Sequence, residues 1–86
     1  MYYVYVLKSD KDKKCYIGHT RNLKKRFYEH NSGKVSSTKP RRPLVLVYYE
    51  AYKSLADARE REVRLKLKSK AYAQLYKRIQ NSIDEK

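Results

Sequence analysis

The chain has 86 residues, 22 of them Lys or Arg and 9 Asp or Glu, for a formal net charge of +13. That length supports one small domain, expected over residues 1–86, with no room for a second. At 41% hydrophobic and 36% charged, the chain can build a modest core, which excludes disorder throughout. No stretch approaches the ~20 apolar residues of a membrane span, and a single cysteine, Cys15, excludes an internal disulfide and cannot alone make a zinc site.

Residues 2–7 are β-branched and aromatic, a polar turn follows at 9–13, and then comes Cys15-Tyr16-Ile17-Gly18. This pattern predicts two antiparallel strands joined by a short loop. Thr20 or Asn22 can cap a helix over about 21–31, with Leu23 and Phe27 as its apolar positions and Gly33 ending it. Residues 34–43 carry Ser, Thr, both prolines and four basic residues without periodicity, which predicts a surface loop. The continuous apolar run 44–49 suits a buried third strand. Ser54, with Asp57 at the third helical position, opens a second helix reaching about Lys68. A third helix over about 70–82 has Tyr72, Leu75, Tyr76 and Ile79 on one side. The order β-β-α-β-α-α predicts an α+β domain, a small three-stranded antiparallel or mixed sheet flanked by helices. The N-terminus lacks the basic lead-in and cleavage site of a signal peptide, so a cytoplasmic protein is expected.

The positive charge is distributed, with clusters at 11–14, 21–26, 39–42 and 59–70. A field of this sign attracts polyanions by releasing their counterions, which makes nucleic acid the leading partner class and an anionic membrane surface the second. A merely solubilising surface needs only ~2 to 8 net charges on a small domain. Ten tyrosines with one Phe and no Trp form a skewed aromatic set. A phenol can stack, donate a hydrogen bond or pass a proton, although most tyrosines simply keep their hydroxyls in water at the core edge.

Three placements single out residues. At 100° per residue, Arg26 and His30 fall between or beside Leu23 and Phe27 on the sheet-facing side of the first helix. Glu62 falls between Leu55 and Ala58 and one turn before Leu65, while Glu60, Arg61 and Arg64 point the other way. Tyr5 shares a strand face with Tyr3, and Tyr16 with Gly18, so a hairpin brings Tyr5 and Tyr16 together. Two readings follow for Arg26 and Glu62. They form a buried ion pair between helices, or they line a pocket in which the carboxylate holds a divalent cation and the guanidinium clamps phosphate. A phenol beside such a group can act as a base or position a water for phosphodiester hydrolysis.

This constellation resembles the GIY-YIG nuclease domain, and in particular the short single-domain bacterial proteins related to the N-terminal nuclease module of the UvrC excision-repair subunit. Tyr3-Val4-Tyr5 stands where that family has its first tripeptide, and Tyr16-Ile17-Gly18 reproduces the second. Gly18-His19-Thr20, Asn22-Leu23, Lys25-Arg26, His30-Asn31 and Gly33 look like its first-helix signature. Ala58, Arg61-Glu62 and Lys66 look like the helix bearing its metal-binding glutamate. The resemblance implies that Tyr5 and Tyr16 flank the water nucleophile, one of them serving as general base with His19 assisting. It further implies that Arg26 stabilises the scissile phosphate and that Glu62 supplies the sole protein carboxylate to one Mg²⁺ or Mn²⁺. His30 falls near this site, its alternative being a helix-end histidine bonded to a local carbonyl. Tyr3 departs from the family's first glycine, which changes the sheet edge near the substrate without removing a chemical group.

The expected activity is metal-dependent endonucleolytic hydrolysis of DNA, with low sequence specificity and structure selectivity suited to repair or recombination. The basic loop residues Lys39, Arg41 and Arg42, together with Lys25 and Lys66, are the expected DNA contacts. The alternative is a catalytically weak nucleic-acid-binding module of the same fold, and a third reading is a basic partner subunit. DNA is the expected partner and a membrane is not, with a monomer as the simplest assembly.

Overall fold

The computed structural model of the protein describes residues 1–67 and 70–85. Strands β1 (Tyr2–Ser9), β2 (Cys15–Thr20) and β3 (Leu44–Tyr52) form an antiparallel sheet in the order β2-β1-β3. Around it lie helices α1 (Leu23–Asn31), α2 (Leu55–Lys66), α3 (Lys70–Arg78) and α4 (Gln80–Asp84). The α+β architecture read from the sequence is the one observed. Among the described residues no helix is long and apolar enough to cross a membrane.

Alternation along β1 divides the core in two. Val4 and Val6 pack with Ile17, with Ala58 and Leu65 of α2, and with Leu75, Ile79 and Ile83 from the C-terminal helices. Tyr5 and Leu7 pack on the opposite face with Leu44, Leu46 and the α1 residues Leu23 and Phe27. β1, paired on both sides, is the buried strand. β3 is an edge, with Val45 and Tyr49 exposed, and so is not the buried strand its apolar run predicts. Its register on β1 jumps between Val6, opposite Tyr48, and Leu7, opposite Leu46. This bulge lets Val47 and Tyr48 both pack on the α2 side, and leaves Leu46 and Tyr49 lining one groove on the α1 side.

Helix ends follow local chemistry. The Asn22 side chain accepts from the Lys25 amide at the start of α1, and Ser54 does the same for Asp57 at the start of α2. Gly33, at φ +78°, closes α1, with its own amide on the His30 carbonyl and the Lys34 amide on that of Glu29. The predicted end of the second helix at Lys68 lies outside the described residues. The third helix is two, because Ile79 leaves helical geometry at φ −107°, ψ 18°. The amide bonds Ile79 to Leu75 and Ile83 to Ile79 persist across the break, so the turn carries Ile83 into the core with little loss of backbone bonding. The loop 34–43 is less superficial than predicted, because it contains a 3₁₀ turn, Lys39–Arg41, and buries Val35 and Thr38.

Candidate active site

The catalytic candidates gather at the β2 edge of the sheet. Tyr5 stands directly opposite Gly18, and its phenol lies across that residue. A Cβ on Gly18 would sit 2.5 Å from the Tyr5 hydroxyl and 2.7 Å from Cζ. The backbone there is extended, so what position 18 requires is space. Gly18→Ala is therefore expected to displace the phenol and to cost about 1–3 kcal/mol of stability by overpacking. A thermal melt of the variant checks it, and an unchanged melting temperature would show that Tyr5 rotates freely.

His30, in the last turn of α1, is completely buried. Its Nε2 lies 2.8 Å from the Tyr5 hydroxyl, and its Nδ1 lies 2.7 Å from Thr38 Oγ1. Thr38 donates to the Val35 carbonyl, so Nδ1–H donates to Thr38 and Nε2 accepts from Tyr5. His30 is thus not bonded to a local carbonyl. It bridges a strand tyrosine and a loop threonine, and Thr38 was missed in the sequence because nothing in a polar loop marks one hydroxyl as buried. Burial pushes the His30 pKa down to about 4, with the Arg26 guanidinium acting in the same direction. Burial likewise raises Tyr5 to about 12, against the opposing pull of Arg26. Both groups are neutral at pH 7.

A stability effect follows from His30. Its folded pKa lies below the unfolded value near 6.5, so the unfolded chain binds more protons between those values, and stability falls as pH drops from about 6.5 to about 4. The loss reaches at most about 3 kcal/mol. Melts across this window should show the fall in the wild type and a flatter profile in His30→Gln, whereas parallel profiles would remove His30 as the cause.

Around this pair, Tyr16 stands with its ring 6.5 Å from that of Tyr5 and 5.1 Å from His30. Arg26 faces the Tyr5 hydroxyl, which acts on its guanidinium, and makes a long 3.4 Å bond to Glu29. No Arg26–Glu62 ion pair forms. The two helices lie on opposite faces of the sheet, and Glu62 is engaged from its own side, with Oε1 bonded to His19 Nδ1 and Oε2 2.8 Å from Lys66 Nζ. Burial alone would raise the Glu62 pKa, but the hydrogen bonds from Lys66 and His19 outweigh it and hold the carboxyl below its usual range. His19 alternates to the face opposite Tyr16, so it attends the glutamate and not the tyrosines. Lys66 links the two groups, its ammonium lying 5.8 Å from the centroid of the Tyr16 ring.

Arg61 departs from its predicted outward position. It donates to Glu50 at 2.5 Å, where Tyr48 and Tyr52 also donate at 2.6 Å. This anchor ties α2 to β3. Of the basic loop, Lys39 and Arg42 line a groove with Lys11 at the C-terminal end of α1. Arg41 instead pairs with Asp12 at 2.8 Å, and its hydrogen bond holds that carboxyl down at about 2. Arg42 also donates to the Lys39 carbonyl and lies against Gly33. Lys25 is exposed.

The donor set suits one kind of cation. Among the described residues no group of three or more His, Cys, Asp or Glu side chains converges to hold a metal. Glu62, with its side chain 13% exposed, offers a single hard carboxylate. Magnesium, which keeps several waters and takes one or two carboxylates plus phosphate oxygens, fits such a donor once Lys66 yields its place.

A profile of the GIY-YIG catalytic domain matches residues 1–78. A UPF0213 protein of Staphylococcus haemolyticus is 46% identical over 66 residues, 76% of this chain and 79% of its own length. One from Syntrophus aciditrophicus is 46% identical over 71 residues, 80% of each chain. Another, from Clostridium perfringens, is 43% identical over 67 residues, 77% of this chain and 71% of its own. No solved structure gives a significant match. With the profile spanning both strand tripeptides, the Arg26 helix and the Glu62 helix, the chain belongs to the GIY-YIG family, whose domain is a nuclease domain.

Proposed function

We propose that the protein is a divalent-metal-dependent endonuclease that hydrolyses DNA phosphodiester bonds with little sequence specificity. The observation that carries this reading is the grouping of two phenols, Tyr5 and Tyr16, whose rings lie 6.5 Å apart, with the Glu62 carboxylate joined to the Tyr16 ring through Lys66 and the Arg26 guanidinium beside Tyr5 on the other face. Arg26, only loosely tied to Glu29, can exchange that partner for a phosphate and present two parallel donors to it. Tyr5 stays protonated and donates to buried His30, so its role is to hold the geometry rather than to accept a proton. Tyr16, half-buried on the edge strand, is the phenol that water can reach and serves as the base. Glu62 is the residue that would hold Mg²⁺ or Mn²⁺, which when bound supplies Lewis-acid stabilisation of the phosphate charge and acidifies a bound water. Lys66 and Lys25 then meet the DNA backbone near the cleavage site, and Lys39 and Arg42 meet it at the far end of α1.

The test is incubation with single-stranded, flapped, branched and supercoiled DNA in Mg²⁺, Mn²⁺ or chelator. Cleavage that the chelator abolishes is expected. Salt-sensitive binding without cleavage would select a binding module of this fold instead, and the absence of DNA binding at moderate salt would defeat both readings.

A further inference from the structure

Helix α1 divides its face of the sheet. Arg26 and His30 look toward β2 and the tyrosine pair, whereas Asn31, on the opposite flank, clasps the Leu44 backbone of β3 through both side-chain atoms. On that β3 flank runs a groove of about 770 Å³ lined by Tyr3, Arg21, Lys24, Phe27, Leu46 and Tyr49. Its wall is aromatic. Tyr3 and Tyr49 meet edge to face, with centroids 5.9 Å apart, and Tyr49 is 52% exposed although it stands directly opposite the buried Tyr5. The floor is apolar and the rim basic, with Lys24 and with Arg21, whose guanidinium lies 5.9 Å from the centroid of the Tyr2 ring, in a chain of net charge +13.

We propose that this groove is a second nucleic-acid site, in which an unpaired nucleobase stacks on Tyr49 against Tyr3 while Arg21 and Lys24 hold its flanking phosphates. Aromatic side chains interleaved with cations are the device by which single strands are held without reading their sequence, because every base has a π face. The groove and the tyrosine–histidine cluster lie on the two flanks of α1, and a helix with its side chains is about 10–12 Å across. One strand can therefore enter the cleavage site while an unpaired segment of the same DNA lies on the other flank. The proposal rests on the nuclease reading and narrows its substrate class to DNA with unpaired nucleotides next to duplex, such as flaps and branches. Tyr3 supplies one wall of the site.

The experiment measures binding by fluorescence anisotropy in chelator, so that no cleavage intervenes, on a blunt duplex and on the same duplex carrying a short unpaired flap with one 2-aminopurine. The wild type should bind the flapped DNA more tightly and quench the 2-aminopurine. Tyr49→Ala should lose roughly 5- to 150-fold in flap affinity, corresponding to one stacked base, with duplex affinity unchanged, and Tyr49→Phe should retain both. Tyr49→Leu keeps apolar bulk should the alanine variant fold poorly, and it should lose the quenching as well. Equal flap affinity in wild type and Tyr49→Leu would overturn the groove proposal while leaving cleavage by the wild type, and with it the nuclease reading, intact. If the wild type binds neither DNA, both fall. A concentration-dependent dimer that Tyr49→Leu dissolves would give the groove to a second copy of the chain and overturn the stacking site.

Discussion

Tyr16→Phe and Tyr5→Phe are expected to abolish most cleavage for different reasons, and a melt tells them apart. In the proposed mechanism, removing the Tyr16 hydroxyl takes away the base, for an expected rate loss of ~10²- to 10⁴-fold. Tyr16 is half-buried and, among the described residues, no hydrogen-bond partner depends on its oxygen, so the melting temperature of the variant should hardly change. Tyr5→Phe should also slow cleavage, because the phenol that orders the site is gone. It additionally strands His30 Nε2 in a fully buried position. An unsatisfied buried acceptor costs about 1–3 kcal/mol, and each kcal/mol lowers the melting temperature by about 4–8 °C in a domain of this size. If both variants cut at the wild-type rate, neither phenol takes part. If Tyr5→Phe melts like the wild type, the His30 bridge carries no stability.

Glu62→Gln is expected to lower metal-dependent cleavage by about 10²- to 10³-fold, the scale of removing one preorganised electrostatic group from a transition state. The amide keeps an acceptor of the same shape but lacks the charge that a divalent cation needs, so Mn²⁺ binding followed by electron paramagnetic resonance should weaken in parallel. The fold should survive. Had Glu62 been paired with Arg26 in the interior, breaking the pair would have cost ~3–5 kcal/mol. Its actual partners are His19, part-exposed, and Lys66, whose side chain is 50% exposed, and contacts of that kind contribute about 0.2–1 kcal/mol. A large drop in melting temperature would show that the carboxylate holds α2 in place, and cleavage at the wild-type rate would remove it from the mechanism.

Which parts of this site were legible beforehand depended on whether a periodicity carried them. Helical spacing placed Arg26, His30 and Glu62 on sheet-facing stripes, and strand alternation placed Tyr5 beside Tyr16 and Gly18, because both rules concern only the direction in which neighbouring side chains leave the backbone. Strand, turn and cap chemistry likewise marked β1, β2, α1 and the start of α2 within a few residues. What each of those side chains touches is a different question, since it depends on which layers meet. Arg26 and Glu62 each lie on an inward stripe, yet the sheet stands between their helices, and so one goes to Glu29 while the other goes to His19 and Lys66. Arg61, one position from Glu62 and outward by the same wheel, reaches Glu50 because β3 runs beside α2.

Composition and local pattern by themselves determined that this chain is a small, strongly basic α+β protein with two tyrosine strands, an arginine helix and a glutamate helix in that order. Each of these features is set by residues close together in the chain. Only the tertiary structure decided that β1 is central and β3 an edge, that a bulge puts Leu46 and Tyr49 in the same groove, and that Thr38, eight residues beyond His30, completes a buried chain of hydrogen bonds to Tyr5. The reason is physical. Burial and hydrogen-bond satisfaction belong to the packed whole, where a polar atom removed from water must find whatever partner the neighbouring layer presents, and no spacing within one segment specifies that partner.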